Sequence, residues 1–222
     1  MKAAIWVCVV FVFAGCAGVS DKGPAPVSAD DGAFERLADD FLSGYLAWRP
    51  QTGTSLGFHE FDGKLTDYSR GSLDAELARL KWFDERLSRM NAQRLGETTS
   101  HDYRLLRSAI QREIFSFEEM QIYSRNPMTY SSVLDVNIYI KRNFAPLPDR
   151  VQSVIRILNQ SPAVFEAARS NLVETLPRPQ IQTAIEEANG AVDFLSKDLV
   201  AALKDVKREG LMKEFRAANE RA

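Results

Sequence analysis

SHDYRLLRSAIQREIFSFEEM, residues 100–120, indicates the fold class of this chain more clearly than any other stretch. Its apolar side chains recur every three or four residues, a spacing that places them on one face of an α-helix. They are Tyr103, Leu106, Ile110, Ile114, Phe117 and Met120. Ser100 stands where a helix cap is expected, and Asn126-Pro127 is expected to end the helix.

The same periodicity continues on both sides of this stretch. One apolar stripe runs from Phe34 to Leu46, and a second runs from Leu73 to Met90 with Ser72 as its candidate cap. Downstream, Pro148 is expected to open one helix and Ser161-Pro162 to cap and open another. No β-alternation interrupts the series. The sequence therefore predicts an all-α fold, an irregular array of antiparallel helices.

The last helical pattern is a narrow seam suited to packing along another helix. Its members alternate steps of four and three: Ile181, Ile185, Ala188, Val192, Leu195, Leu199, Ala202 and Val206. Gly190 lies within it and is expected to allow a close approach. The pattern resumes after Gly210 and stops at Ala222 without a Gly or Pro stop signal. We therefore expect an incomplete part of a larger helical fold.

The N-terminus predicts export. Lys2, an apolar run over residues 3–13 and two small residues form a signal peptide of residues 1–15. Phe13-Ala14-Gly15-Cys16 resembles the bacterial lipobox, with Phe where Leu is usual. The resemblance implies lipidation of Cys16 and a membrane anchor. The alternative is an ordinary secretory signal with an incidental cysteine.

The sequence after the signal peptide is expected to form a tether followed by one domain. Residues 16–30, rich in Gly and Pro, are expected to be the lipidated Cys and a flexible tether, and residues 31–222 the helical domain. Ala17 is not the Asp that retains some lipoproteins in the inner membrane. By resemblance to lipoproteins generally, the expected location is the periplasmic face of the outer membrane.

Charge and cysteine content exclude some roles. The net charge is −2 with interspersed signs, so no basic field is present to recruit nucleic acid. Cys8 and Cys16 are the two cysteines of the sequence, so none remains in the helical domain for a disulfide.

GTSLGFHE, residues 53–60, contains two strings that look catalytic. Gly53 to Gly57 fits G-x-S-x-G, but a nucleophile elbow needs a strand before Ser55, and a helix is expected there. His59-Glu60 begins H-E-x-x-H, but Gly63 occupies the place of the second His. A hydrolase using Ser55 stays a lesser alternative, and the roles of His59 and His101 stay open.

A family resemblance explains this loop better. Pro50-x-x-Gly53-Thr54-x-Leu56-Gly57 and the later Asp67 resemble the N-terminal signature of the bacterial family called domain of unknown function 885. Further positions follow in the same order: Tyr130 after Asn126-Pro127, Ile138-Tyr139, Arg142-x-Phe144-x-Pro146, Asn171-Leu172 and Gly190. The resemblance spans about Phe34 to Ala222.

The resemblance implies a role without catalysis. Members of the family are typically longer, helical and often exported, and they are suspected zinc metallopeptidases because a later portion carries H-E-x-x-H. No catalytic residue and no zinc ligand therefore falls in this chain, and zinc is expected only with a C-terminal catalytic half. The signature loop with Asp67, Tyr130, Tyr139 and Arg142 is expected to form a cleft wall, with that half or a peptide substrate as partner. The alternative is a self-sufficient helical binding or structural lipoprotein of the periplasm.

Overall fold

The computed structural model describes residues 29–222, and these residues form an all-α fold without a strand, as predicted. The helices are α1 (Ala29–Trp48), α2 (Pro50–Leu56), α3 (Arg70–Ser88), α4 (Glu97–Glu118), α5 (Ile122–Arg125), α6 (Met128–Ser131), α7 (Asn137–Lys141), α8 (Leu147–Asn171), α9 (Arg178–Asp193), α10 (Leu199–Ala202) and α11 (Glu209–Arg221). Phe194–Asp198 forms a π-helical turn between α9 and α10, and 3₁₀ turns cover His59–Phe61, Ala92–Arg94 and Ser132–Leu134. The signal peptide, Cys16 and the tether up to residue 28 lie outside the described residues, whereas the last two tether positions belong to α1.

The first of two hydrophobic clusters is built by α1, α3 and α4. Phe41 of α1 meets Phe83 of α3 edge to face, with ring centroids 5.3 Å apart. Leu80, Leu87 and Ile110 are fully buried between the helices. The apolar stripes of these helices thus point toward one another, as the helical spacing requires.

The second cluster surrounds α8, the longest helix. Val154 and Leu158 of α8 are fully buried among residues of the segments before and after it. Phe215 of α11 packs on one side, and Tyr130 and Val136 pack on another. No helix among residues 29–222 is long and apolar enough to cross a bilayer.

Three helix boundaries differ from the sequence prediction. Ser69, not Ser72, caps α3, because its Oγ accepts a hydrogen bond from the Ser72 amide. α4 begins at Glu97, so Ser100 lies inside its first turn. It ends at Glu118, well before Asn126, and Gln121 then takes a left-handed backbone conformation with φ 51° that turns the chain into α5.

Ser161-Pro162 does not start a new helix, because α8 passes through it. Proline inside a helix removes the N–H that would bond to the carbonyl four residues earlier. Here that carbonyl belongs to Leu158, and the Ser161 hydroxyl donates to it at 2.9 Å instead. The helix therefore keeps a partner for a buried carbonyl oxygen and continues to Asn171.

The predicted seam on the last long helix is buried in only part of its length. Leu195 and Leu199 belong to the second cluster, whereas Ile185 and Val192 are 56% and 63% exposed. A Cβ added at Gly190 would meet nothing within 4 Å, so the expected close approach at this glycine is wrong. The N-terminal half of the seam is an apolar face open to solvent.

Candidate functional site

A polar cleft of about 420 Å³ lies where α1 passes into α2. Its other walls come from the irregular segment before α3 and from the chain around α5 and α6. The lining residues are Trp48, Arg49, Gln51, Thr52, Ser55, Thr66, Tyr68, Tyr123, Thr129, Ser132 and Asp135. The volume falls in the range of about 300–1,000 Å³ that small-molecule sites occupy.

Two features of the backbone shape the α1–α2 wall of the cleft. Pro50 opens α2, where its missing N–H costs nothing. Gly57 ends α2 in the left-handed region with φ 96°, and its amide bonds back to carbonyls of the last turn. α2 is thus a single short helix held between a proline and a glycine.

The signature positions hold this short helix from behind. Pro50, Gly53 and Thr54 are buried, and a Cβ at Gly53 would collide with the Phe61 ring. Arg142 donates a hydrogen bond to the Ser55 carbonyl at 3.2 Å. Pro50, Gly53 and Thr54 pack against the rest of the fold, so they fix the position of α2 without facing the cleft.

The cleft is faced by the intervening positions of the same loop. Gln51, Thr52 and Ser55 line it, and they occupy the variable x positions of Pro-x-x-Gly-Thr-x-Leu-Gly. Leu56 points outward and is 66% exposed. None of the signature residues named from the sequence lines the cleft; they support its wall, and their neighbours form it.

The remaining predicted residues also act as supports. Asp67 accepts hydrogen bonds from the amide and hydroxyl of Ser69 at the start of α3. Tyr130 is buried and donates to the Tyr123 carbonyl at 2.6 Å. Tyr139 is buried, and its hydroxyl accepts from the Gly63 amide at 2.9 Å. The structure therefore spreads these residues around the cleft rather than inside it.

Arg49 anchors the floor of the cleft through a charge network absent from the sequence prediction. Its guanidinium donates to Glu76 at 2.8 Å and to Glu113 at 2.6 Å, and Arg79 also binds Glu76. Burial opposes the charge of Arg49, but the Glu113 and Glu76 carboxylates outweigh it and raise the pKa of Arg49. The guanidinium also lies 4.6 Å above the Trp48 ring.

Three aromatic side chains form the deeper part of the cleft. Trp48 meets Tyr68 and Tyr123 edge to face, with centroids 6.2 and 6.1 Å away. Burial raises the pKa of Tyr123 and of Tyr68, so both phenols keep their protons at neutral pH. Their hydroxyl groups are potential hydrogen-bond donors near the Arg49 guanidinium.

Ser55 lacks the setting of a catalytic nucleophile. It lies inside α2 rather than on a strand-to-helix turn, and its Oγ donates to the Gln51 carbonyl at 2.9 Å. His59 bonds to Asp62 at 3.1 Å and stacks on Phe144, but the structure records no bond between His59 and Ser55. The His–Asp pair is therefore not joined to a nucleophile in residues 29–222.

Side chains that could bind a metal ion are not clustered among residues 29–222. Over residues 29–222, no set of three or more His, Cys, Asp or Glu side chains has the placement to hold an ion. His101 is exposed in the first turns of α4, far along the chain from His59. The chemistry that the cleft offers is hydrogen bonding and aromatic contact.

Comparisons with known proteins identify relatives of this fold. The sequence model of the family described as bacterial protein of unknown function (DUF885) matches residues 50–222. Among solved structures, a protein of unknown function from Shewanella oneidensis, described as a candidate lipoprotein, is similar with a TM-score of 0.75 and 22% sequence identity. The match covers 84% of this chain and 34% of that protein, so this chain spans about a third of its length. At this identity the likeness shows a shared fold. A search of curated proteins found no match.

Proposed function

Because this chain belongs to the bacterial DUF885 family, we propose that it is the non-catalytic N-terminal part of a larger, exported, lipid-anchored protein. In this proposal its polar cleft forms one wall of a peptide-binding site. The chain hydrolyses nothing by itself, and any zinc binds in a C-terminal half that carries H-E-x-x-H. The proposal is supported by the family match and by the greater length of the similar solved protein.

The observation that carries the proposal is the identity of the residues that face the cleft. The buried signature positions fix α2, and Gln51, Thr52 and Ser55 turn their side chains to the cleft. Across from them lie Ser132 and Asp135. Amide, hydroxyl and carboxylate groups can pair with both the N–H and the C=O groups of an extended peptide.

The open half of the seam supports a larger assembly. Ile181, Ile185 and Val192 of α9 stand exposed beside an apolar groove of about 310 Å³ between α6, α8 and α9. Contiguous exposed apolar surface of this kind marks an interaction site more often than a free surface. We assign it to contact with the C-terminal half of the complete protein.

The anchor is proposed from the sequence of the N-terminus. The lipobox-like Phe13-Ala14-Gly15-Cys16 places the acylated residue at Cys16, and the similar solved protein is itself described as a candidate lipoprotein. Attachment at the periplasmic face of the outer membrane follows from Ala17 by analogy with other lipoproteins.

One measurement on the native protein tests the anchor and the larger chain together. The protein is taken from the membrane fraction, and its intact mass and both terminal peptides are determined. We expect an acylated Cys16 at the N-terminus and sequence beyond Ala222 that contains H-E-x-x-H. An N-terminus without acylation would refute the proposed lipid anchor. A chain that ends at Ala222 would favour the self-sufficient binding lipoprotein, for which the two well-buried hydrophobic clusters are the supporting observation.

Peptide binding is tested by nuclear magnetic resonance with pentaalanine as the probe. We expect saturable shifts of the amides of Gln51, Thr52, Ser55 and Ser132. The shifts should weaken in Gln51→Ala and persist in Gln93→Ala, which alters an exposed glutamine outside the cleft. Shifts that are scattered over the surface, or unchanged in Gln51→Ala, would refute the assignment of this cleft.

A further inference from the structure

A second pocket, separate from the polar cleft, lies between the end of α10 and α11. Its volume is about 370 Å³. It is lined by Val200, Lys204, Val206, Lys207, Glu209, Met212, Phe215 and Arg216. Apolar and charged side chains are separated within it, and this separation is the basis of the inference.

The floor of the pocket is apolar and continuous with the protein interior. Phe215 is fully buried, and Val206 is nearly so; both belong to the second hydrophobic cluster. Met212 is half-buried, and Val200 stands at the mouth with 43% of its surface exposed. An alkyl chain lying over Met212 and Val200, above the buried Phe215, would remove apolar surface from water on both sides of the contact.

The rim of the pocket carries cations without partners. Lys204, Lys207 and Arg216 make no side-chain hydrogen bond or ion pair with any of residues 29–222. By contrast, Arg49 is paired with the carboxylates of Glu76 and Glu113. Glu209 is the one carboxylate of the lining and is likewise unpaired, so three positive charges face one negative charge.

We propose that this pocket binds a single-chain anionic amphiphile, a fatty acid whose carboxylate lies among Lys204, Lys207 and Arg216 and whose alkyl chain covers Met212 and Val200. The charge of the rim complements the head group, and the floor complements the chain. The volume, near the lower end of the range for small-molecule sites, suits one chain rather than the two of a phospholipid.

The test uses the full chain with dodecanoate below the concentration at which dodecanoate forms micelles. Calorimetry is expected to show one site, and amide shifts are expected to concentrate in residues 200–216. Dodecanol, which has the chain without the charge, should bind at least about tenfold more weakly. A higher salt concentration should weaken the binding of dodecanoate, because the charges of the rim are exposed to solvent and are screened by salt.

Removing a positive or a negative charge from the pocket is expected to change the affinity for dodecanoate in opposite directions. The double variant Lys207→Gln with Arg216→Gln should bind dodecanoate about tenfold more weakly, since each exposed charge pair contributes a few-fold to the affinity. Glu209→Gln should tighten binding, because it removes the one repelling carboxylate. Lys213→Gln, on the same helix and outside the lining, is the matched control and should leave affinity unchanged.

Each outcome decides the proposal. Equal affinity for dodecanoate and dodecanol, or equal affinity in the double variant and the wild type, would show apolar adsorption and overturn it. Binding to vesicles of an anionic phospholipid without binding to dodecanoate would overturn it in favour of a membrane contact. None of these outcomes depends on the peptide cleft, which lies on α1, α2 and the α5–α6 region.

Discussion

At the scale of single residues, the signature loop contains positions that pack against the fold and positions that face the cleft. Gly53 lies against Phe61, and Thr54 is buried, whereas Gln51 and Ser55 face the cleft. The residue pattern of the loop therefore describes its packing, and the residues that line the cleft lie between the signature positions.

The close approach at Gly53 makes a direct prediction. In Gly53→Ala the new methyl group would overlap the half-buried Phe61 ring, and the overlap should lower the free energy of unfolding by about 1–3 kcal/mol. Gly190→Ala is the control, because its methyl group meets open space inside a helix and should raise stability by about 0.5–1 kcal/mol. Urea unfolding followed by circular dichroism measures both. Equal effects at the two sites would contradict the packing assigned to Gly53.

Several residues of the site carried no signal in the sequence. Arg49 pairs with Glu76 and Glu113, which lie 27 and 64 positions away along the chain. Only the tertiary fold brings these charges together, since no local spacing relates them. Tyr68 was equally hidden, because an aromatic residue in a loop indicates packing without saying against what. The signature loop was visible because its glycines and proline are constrained locally.

At the scale of elements, periodicity predicted helices well and their ends poorly. α4 was predicted from its apolar spacing, yet its first residue precedes Ser100 and its last precedes Asn126. Caps and breakers are short signals that tertiary contacts can override, and Pro162 inside α8 is the clearest case. The seam of α9 was also found, but its exposed and buried halves differ only in what packs against them.

The continuity of α8 rests on one hydroxyl group and can be tested there. Ser161→Ala leaves the Leu158 carbonyl without its hydrogen-bond donor in a fully buried place, so the free energy of unfolding should fall by about 1–3 kcal/mol. Ser170→Ala on the same helix removes a similar bond to Glu166 at an exposed site and should change little. Thermal and urea unfolding of both variants measure the difference. If the two variants were equally stable, water or a shifted backbone would have to satisfy the Leu158 carbonyl.

At the scale of the whole molecule, the segment between α1 and α3 joins the two hydrophobic clusters. Trp48, at the end of α1, contacts Tyr68 and Tyr123, and Tyr68 in turn contacts Tyr130 of the second cluster, with centroids 5.1 Å apart. The polar cleft opens on this junction. A ligand in the cleft would contact Trp48, Tyr68 and Tyr123, the aromatic residues that connect the two clusters, so binding should stabilise the molecule as one unit.

Buried tyrosines at this junction predict a loss of stability in alkali. Burial raises the pKa of Tyr123, Tyr68, Tyr130 and Tyr139 in the folded state, whereas the unfolded chain releases these protons near about pH 10. Above that pH the unfolded state binds fewer protons than the folded state, so the free energy of unfolding falls as pH rises. Below about pH 10 this contribution is fully retained.

The expected result is a melting temperature that is level near neutral pH and drops above about pH 10. Tyr123→Phe removes a phenol that has no hydrogen bond among residues 29–222, so its melting temperature at neutral pH should match the wild type. In alkali the variant should lose less stability, because one group that favours the unfolded state is gone. Circular dichroism melts across the pH series, with phenolate absorbance followed in parallel, measure both. Parallel losses in the two proteins would mean that Tyr123 ionises in the folded state as readily as in the unfolded chain, and the junction would then be open to water.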